Sequence, residues 1–321
     1  MAKSIDGIPW TDFVPGRATL VVLGLAKPRK DEGDVVQPES YFMASSELLG
    51  FLFVVVWLIS YANNYGVINN NPIKDRLGYN NFCVGLDSEP AKNVGEVLFM
   101  VCYYSCIRYA VTNLQRSFEV RRMGNISAPM FVFSVFTDIQ WLLSISIFAL
   151  VWVIDPWMAM YGHTLPFIGF IYVRYVSVLA MMLQSSQTTF KGWVFLVFYC
   201  TISAMLPMYY LSSFAYFTET NHDVGDTLFP WWVGMSMDYA WFGCLPSCSL
   251  FIHIDPVYKV AMQEVMKQSV KDDIENVGSL LVKNPATDPH LTIRDLPKVI
   301  LAVMFNGILV YGFFMAVFFN S

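Results

Sequence analysis

The sequence predicts an all-α integral membrane protein built as a bundle of seven transmembrane helices. Apolar residues make up 55% of its 321 residues and charged residues only 14%, whereas about a quarter of an ordinary soluble domain is charged. Seven apolar runs are each long enough, at about 1.5 Å per residue, to cross about 30 Å of hydrocarbon. The net charge is −5 and no basic block occurs, so we expect no nucleic-acid partner.

The chain begins with a polar arm that we expect to lie at the surface with little structure, because it combines prolines with the charged run KPRKDEGD. Apolar length and the flanking Pro, Gly and charged residues then predict spans at 45–66, 94–115, 129–153, 159–183, 192–217, 228–253 and 297–319. The predicted organisation is an arm (1–42), helices one to six (43–253) with a long outer loop at about 67–93, a cytosolic segment (254–296) and helix seven (297–321). The outer loop is rich in Asn and Gly and long enough to fold back as a small cap or hairpin.

Lysine and arginine are distributed unevenly between the two sides of the predicted bundle. The arm and the loops after spans two, four and six contain them, whereas the loops after spans three and five contain none. The positive-inside rule therefore predicts a cytosolic N-terminus and an external C-terminus. Only the loop after span one, with Lys74, Arg76 and Lys92, departs from this pattern.

The segment before the last span carries an amphipathic pattern over 255–283. Asp255 and Pro256 are typical of a helix N-cap followed by proline at the first helical position. Apolar residues then recur at steps of three and four from Val257 to Leu281, opposite a face that contains lysines. The pattern predicts a helix on the cytosolic membrane surface, and a docking helix for a soluble partner is the alternative.

Several polar side chains fall inside predicted spans, where each is costly unless a neighbouring helix supplies a partner. Asp138 and Asn306 lie about nine residues from the predicted cytosolic ends of their helices, and Arg174 lies about ten residues from that side. Asp238 lies about ten residues from the outer end. Because a buried carboxylate needs a cation or a proton, we predict an Asp138–Arg174 pair that Gln140, Asn306 or water could bridge. Both a structural pair and a site for a ligand or protons remain open.

The sequence contains few signals for a bound ligand, a metal site or an enzyme active site. The aromatic residues of spans five and six, Tyr209 and Trp241 among them, are compatible with ordinary packing or with a sandwich for a flat conjugated ligand. No two histidines share a predicted span, and the two cysteine pairs at i,i+4 spacing are compatible with simple packing. The sequence contains no phosphate loop, nucleophile elbow or HExxH motif, so we predict neither an enzyme nor a metal site.

Over about residues 45–319 the chain resembles the heliorhodopsins, retinal proteins of the microbial rhodopsin superfamily with seven helices and the same inverted orientation. Span three, from Asp138 through Ser144, resembles the family's acidic counterion followed by a serine-rich turn. The segment around Pro207 and Tyr209 resembles its proline-kinked helix with aromatics, and the segment PWWVG that begins at Pro230 resembles the opening of its sixth helix. The resemblance implies an opsin-like bundle.

The resemblance fails at the residue on which the photochemistry of the family depends. Asn306 stands where the family has its retinal lysine, and an amide cannot form a Schiff base. The only lysine of span seven, Lys298, lies more than two turns away at the membrane edge. Without a protonated Schiff base, Asp138 would need another cation, and Arg174 could supply it. The resemblance therefore supports the fold and argues against covalent retinal.

Three functions follow as expectations. The first is a heliorhodopsin-like scaffold, sensor or assembly subunit without covalent retinal. The second is a transporter or a proton or ion channel that uses Asp138, Arg174 and Asp238, and the third is a photoreceptor that holds retinal or a carotenoid non-covalently. Expected partners are the lipid bilayer, a second copy or a membrane complex, and a soluble protein at 255–283. The candidate pocket residues are Asp138, Gln140, Ser144, Arg174, Pro207, Tyr209, Asp238, Trp241 and Asn306.

Overall fold

The computed structural model describes residues 16–27, 36–122, 124, 126–183, 190–219, 229–251, 258–260 and 281–283. The helices are α1 (Arg17–Val22), α2 (Pro38–Asn63), α3 (Tyr65–Asn69), α4 (Pro72–Leu77), a 3₁₀ helix (Phe82–Leu86), α5 (Ala91–Arg122), α6 (Ala128–Phe148), α7 (Leu150–Val153), α8 (Met160–Leu183), α9 (Phe190–Glu219) and α10 (Trp231–Phe251). Two short strands follow, β1 (Tyr258–Val260) and β2 (Leu281–Lys283).

Each of the first six predicted spans corresponds to helical structure, with α6 and α7 sharing span three. Five stretches of the described chain are long and apolar enough to cross a membrane: Pro38–Asn63, Ala91–Arg122, Ala128–Val153, Met160–Met182 and Val194–Tyr216. By length and composition the chain is thus a helical, multi-pass membrane protein. α10 occupies predicted span six with 21 residues, although it is not one of those five. Predicted span seven, with Asn306, lies outside the described residues.

The six long helices close into a ring. α2 packs against α5, α5 against α6, α6 against α8, α8 against α9 and α9 against α10, and α10 returns to α2. Long helices that follow one another along the chain commonly pack as neighbours in a bundle, which accounts for the order from α2 to α10. Large apolar side chains such as Phe51, Val97 and Phe136 are exposed on the outside of the ring. Such an outer face is suited to lipid.

Residues 64–90 form a helical cap over one end of the ring. Asn71 begins α4 as its N-cap, accepting a hydrogen bond from the Lys74 backbone N–H at 2.8 Å. The Asn71 side-chain amide donates to Asn80 Oδ1 at 2.8 Å, so asparagines supply the partners that the turns of the cap require. The predicted outer loop therefore folds as a cap made of short helices, rather than as a hairpin.

The cap is fixed to α2 by two hydrogen bonds. Trp57 Nε1 donates to the Phe82 carbonyl at 3.1 Å, and Ser60 Oγ donates to the Gly85 carbonyl at 3.0 Å. A Cβ atom at Gly85 would lie 2.9 Å from the Trp57 ring, so glycine permits this close approach. The apolar residues of the 3₁₀ helix are buried, and the cap belongs to the core.

The N-terminal arm is more ordered than predicted. Residues 17–22 form α1, in which the Thr19 backbone N–H and Oγ1 donate to Glu47 Oε2 at 2.9 and 2.8 Å. α2 begins at Pro38, with proline at the first helical position, rather than at residue 45. The predicted boundary of the arm at residue 42 is wrong because polar residues after Gln37 belong to the first turns of α2, where they have partners.

The segment predicted as an amphipathic helix has strands near its two ends. Tyr258–Val260 pairs antiparallel with Leu281–Lys283, and Tyr258 lies opposite Lys283. The helix predicted over 255–283 is therefore wrong at these six residues, while 261–280 lie outside the described residues. Short apolar runs fit strand and helix alike, and periodicity could not distinguish the two here.

Candidate functional site

The predicted pocket residues lie in different parts of the bundle. We call the end at which α2 begins the arm end, and the end covered by residues 64–90 the cap end. Hydrogen bonds connect the Asp138 carboxyl to residues at the arm end. Arg174 lies among aromatic rings near the middle of the bundle. Asp238 lies near the cap end, about 10 Å along α10 from its first residue.

Asp138 belongs to a chain of hydrogen bonds that we call the arm-end network: Glu39, Arg116, Asn113 and Asp138. Asn113 Nδ2 donates to both Asp138 carboxylate oxygens at 3.0 and 2.9 Å. Arg116 Nη2 donates to Asn113 Oδ1 and to Glu39 Oε1, each at 2.5 Å. The four residues are between 1% and 6% exposed. The predicted Asp138–Arg174 pair is therefore wrong, since the described partner of Asp138 is Asn113.

The backbone of α5 explains the arm-end network. Asn113 and Arg116 are three residues apart and so lie on one face of that helix. α5 packs between α2 and α6, which places its polar face between Glu39 on α2 and Asp138 on α6. The sequence interpretation assigned Arg116 to a cytosolic loop and overlooked Asn113. Their three-residue spacing was the signal that could have identified both.

Arg174 is fully buried among aromatic side chains. Its Nη2 donates to Ser46 Oγ, and its guanidinium carbon lies 4.8 Å from the Phe42 ring centroid. The Trp141 and Phe170 ring centroids are 5.8 and 5.9 Å from the same atom. Aromatic faces attract a desolvated guanidinium, so this cation is stabilised by rings and a hydroxyl.

Aromatic side chains fill the centre of the bundle. Ring centroids lie 5.1 Å apart for Phe42 and Trp141, 4.8 Å for Phe148 and Phe170, and 5.9 Å for Phe167 and Trp241. Trp141 Nε1 also donates to the Cys106 carbonyl at 3.1 Å. In the described part of the chain, these rings pack against one another, as in an ordinary protein interior.

Asp238 is fully buried beneath the cap. The hydroxyls of Tyr79, from the cap, and Tyr210, from α9, lie beside its carboxyl. The Phe82 backbone is also next to this carboxyl. Burial, followed by the Asp238 charge, raises the pKa of the Tyr79 phenol well above its usual value. We call Asp238, Tyr79 and Tyr210 the cap-end site.

Tyr209 connects α9 to the cap and to α10. Its hydroxyl donates to the Leu77 carbonyl at 3.4 Å, which ties α9 to α4. A Cβ atom at Gly234 would lie 2.3 Å from the Tyr209 ring, so only glycine allows α10 this close. Pro207, buried two residues earlier in α9, and the fully buried Trp241 lie in the same two helices. Tyr209, Asp238 and Trp241 are all fully buried.

The remaining candidates do not join a common pocket in the described residues. Ser144 is buried but shares no hydrogen bond with Asp138 there, and Gln140 is only half-buried. Asn306 lies outside the described residues. Asp138, Gln140 and Arg174 were predicted to lie at similar depths in the membrane. In the structure they do not form one site.

A second buried carboxyl at the cap end was missed by the sequence interpretation. Asp87 Oδ1 lies 3.4 Å from His163 Nε2, and both side chains are 1% exposed. His163 Nδ1 donates to the Ile154 carbonyl at 2.8 Å, so Nε2 faces the carboxyl. Burial raises the pKa of Asp87 to about 8; the Asp155 charge adds to the rise and Lys92 opposes it.

Metal ligands do not converge within the described ranges, where no group of three or more His, Cys, Asp or Glu side chains is suited to a metal ion. No family model, no curated protein and no solved structure matches the chain. The resemblance to the heliorhodopsins therefore stays a prediction.

Proposed function

We propose that the chain is a seven-helix membrane protein of heliorhodopsin-like plan that acts as a scaffold, sensor or assembly subunit without covalently bound retinal. Its N-terminus is cytosolic and its C-terminus external, and residues 297–319 supply the seventh helix. The distribution of lysine and arginine supports the orientation. The ring of six long helices supports the plan, and the amide of Asn306 supports the loss of the Schiff base.

The observation that carries this proposal is the packing at the bundle centre. Phe42, Trp141 and Phe170 surround the Arg174 guanidinium within 6 Å, in the part of the bundle where the resemblance implies a retinal would lie. Aromatic rings in such close contact leave little room between them for a ligand of that size. The carboxyl of Asp138, the counterion that the resemblance implies, is already bonded within the arm-end network. These features favour a structural or signalling role over photochemistry.

Addition of retinal to the purified full-length chain tests the proposal. We expect no visible absorption band, and no gain of a retinyl group in the mass spectrum after borohydride reduction. The matched variant is Asn306→Lys, which restores an amine at the position that the resemblance identifies. An imine in the parent chain would contradict the proposal. A band without covalent attachment would instead support the alternative of a photoreceptor that holds retinal or a carotenoid non-covalently.

Proton or ion translocation is the second candidate function. It is favoured by ionisable groups at three levels of one bundle: Asp138 in the arm-end network, Arg174 among the central rings and Asp238 in the cap-end site. In liposomes, this function predicts flux that falls when Asp138→Asn or Asp238→Asn is introduced. Glu119→Gln, near the end of α5, is the control. The scaffold proposal predicts no flux above that of empty liposomes.

A further inference from the structure

A buried carboxyl and a buried imidazole meet where the cap contacts α8. Asp87 ends the 3₁₀ helix of the cap, and His163 lies in the first turn of α8. Asp87 Oδ1 lies 3.4 Å from His163 Nε2, and each side chain is 1% exposed. Within the described residues, neither Asp87 oxygen nor His163 Nε2 forms a hydrogen bond with any other group. The carboxyl and the ring are therefore each other's polar partner.

The second ring nitrogen determines what His163 can offer to Asp87. His163 Nδ1 lies 2.8 Å from the Ile154 carbonyl oxygen, and Nδ1 carries a hydrogen because a carbonyl only accepts. In a neutral imidazole Nε2 is then a lone pair, which cannot donate to a carboxylate. An ionised Asp87 would face this lone pair in the interior, where an uncompensated charge is costly. One proton between Oδ1 and Nε2 removes the conflict, whether the carboxyl or the ring carries it.

We propose that the Asp87–His163 pair holds one proton and acts as a proton-dependent latch between the cap and α8. With the proton in place, a hydrogen bond joins Oδ1 to Nε2 and closes the cap on α8. Loss of the proton to the solvent leaves a carboxylate against a lone pair, so the cap separates from α8 and the carboxylate reaches water. The latch depends neither on the scaffold role nor on retinal or residues 297–319.

The other charged or titratable groups near the Asp87 carboxyl come from three elements. Asp155, exposed after α7, and Lys92, half-buried in the first turn of α5, act on it with opposite signs. Cys83 lies in the same 3₁₀ helix, where burial raises the pKa of its thiol well above the usual value, so it stays neutral.

The direction of the pH response follows from the burial of Asp87. Burial raises the pKa of this carboxyl to about 8, so the closed cap keeps the proton up to about that pH. An open, hydrated Asp87 releases the proton above about pH 4. Between these limits the closed cap binds one more proton than the open cap, and a rise in pH therefore favours the open cap.

Native-state hydrogen exchange of the full-length chain in detergent, between pH 5.5 and 7.5, tests the latch. In Asp87→Asn the side-chain amide donates to Nε2 without a titratable proton, so the cap should stay closed throughout. After correction for intrinsic exchange rates, opening of residues 64–90 should rise about tenfold more per pH unit in the parent than in this variant. Amides of α5 at the arm end should show no such difference.

Two further variants separate the latch from a carboxyl that titrates alone. His163→Phe removes the acceptor, so exchange of the cap should be about fivefold faster already at pH 5.5, as expected for the loss of one buried hydrogen bond. Asp75→Asn, at a half-buried carboxyl of α4 in the same cap, should follow the parent.

Three results would overturn the proposal. The first is the same pH dependence of cap exchange in the parent and in Asp87→Asn. The second is parental cap exchange in His163→Phe, since Asp87 would then titrate without its partner. The third is a pH response of equal size at the arm end, which would indicate a change in global stability. Should His163→Phe fail to fold, the comparison of the parent with Asp87→Asn decides.

Discussion

The two ends of the bundle accommodate buried carboxylates in opposite ways. At the arm end, Glu39 and Asp138 are connected to one guanidinium, directly or through Asn113, by hydrogen bonds of 2.5 to 3.0 Å. At the cap end, Asp238 lies beside tyrosine hydroxyls, and Asp87 faces the His163 ring at 3.4 Å. The arm end contains a permanent cation, whereas the carboxyls of the cap end lie beside groups that are neutral or titratable.

The comparison indicates a division of roles. A buried hydrogen-bonded network that contains a cation restricts its helices to one arrangement, and removing the cation leaves a charge without compensation. Carboxyl groups without a permanent cation beside them respond more readily to protons in the surrounding solution. We therefore expect the arm end to be structural and the cap end to be the responsive part of the molecule.

The largest effect is expected from Arg116→Met. This change leaves the Glu39 carboxylate buried without its cation, and breaking such a pair costs about 3–5 kcal/mol of unfolding free energy. Arg122→Met is the matched control on the same helix, because its side chain is 62% exposed and its pair with Glu119 contributes about 0.5 kcal/mol or less. Thermal or denaturant unfolding of both variants measures the difference. If Arg116→Met and Arg122→Met lowered the unfolding free energy equally, the buried arm-end pair would not stabilise the fold more than an exposed pair does.

A steric change tests how the cap end is held. Gly234→Ala would place a Cβ atom 2.3 Å from the Tyr209 ring, the ring whose hydroxyl bonds the Leu77 carbonyl of the cap. Overpacking of this kind costs about 1–3 kcal/mol, and cap peptides should exchange hydrogen faster. Gly169→Ala has open space around its new methyl group and should be neutral or slightly stabilising. If the two variants unfold alike, close packing of α9 on α10 does not hold the cap.

The smallest expected effect is the contribution of Asp87 to the pH dependence of the unfolding free energy. Because burial raises its pKa to about 8, the folded chain binds one more proton than the unfolded chain between about pH 4 and pH 8. The stability that this group contributes is complete below about pH 4 and is lost as the pH rises through 8. His163, Asp155 and Lys92 are the charged or titratable groups that face it.

Asp87→Asn should therefore make the unfolding free energy less dependent on pH. Between pH 5.5 and 7.5 we expect the parent chain to lose about 1 kcal/mol more per pH unit than the variant. Unfolding midpoints measured at several pH values provide the test, with Asp75→Asn, at a half-buried acidic residue in the first turn of α4, as control. Parallel profiles for the parent and Asp87→Asn would contradict a buried, protonated Asp87.

Much of the fold could be predicted because its signal is local. The length and apolarity of a span are properties of consecutive residues, so the first six predicted spans coincide with helices. The start of α2 was misplaced because Glu39 is polar, and its place in the helix depends on Arg116, 77 residues away. The cap was expected only as a cap or hairpin, because asparagine-rich loops are compatible with several turn geometries.

The candidate site was harder to predict from the same signals. Counting residues along a helix gives the depth of a side chain, and Asp138 and Arg174 were paired because their depths agree. Depth contains no information on the direction in which each side chain points around its helix axis. In the structure that direction brings Asp138 to Asn113, and Arg174 to Phe42 and Ser46. Tyr79 was missed because loop residues were not considered for the interior.

The sequence by itself determined a helical, multi-pass membrane protein and the position of six long helices. Composition and apolar length need no partner, so local patterns were sufficient for both. Only the tertiary structure decided which polar groups meet. α5 lies between α2 and α6 and supplies Arg116 and Asn113 to the carboxyls on either side, and the cap folds inward to place Tyr79 on Asp238. Contacts between residues far apart in sequence depend on the order and rotation of packed helices, which no local pattern contains.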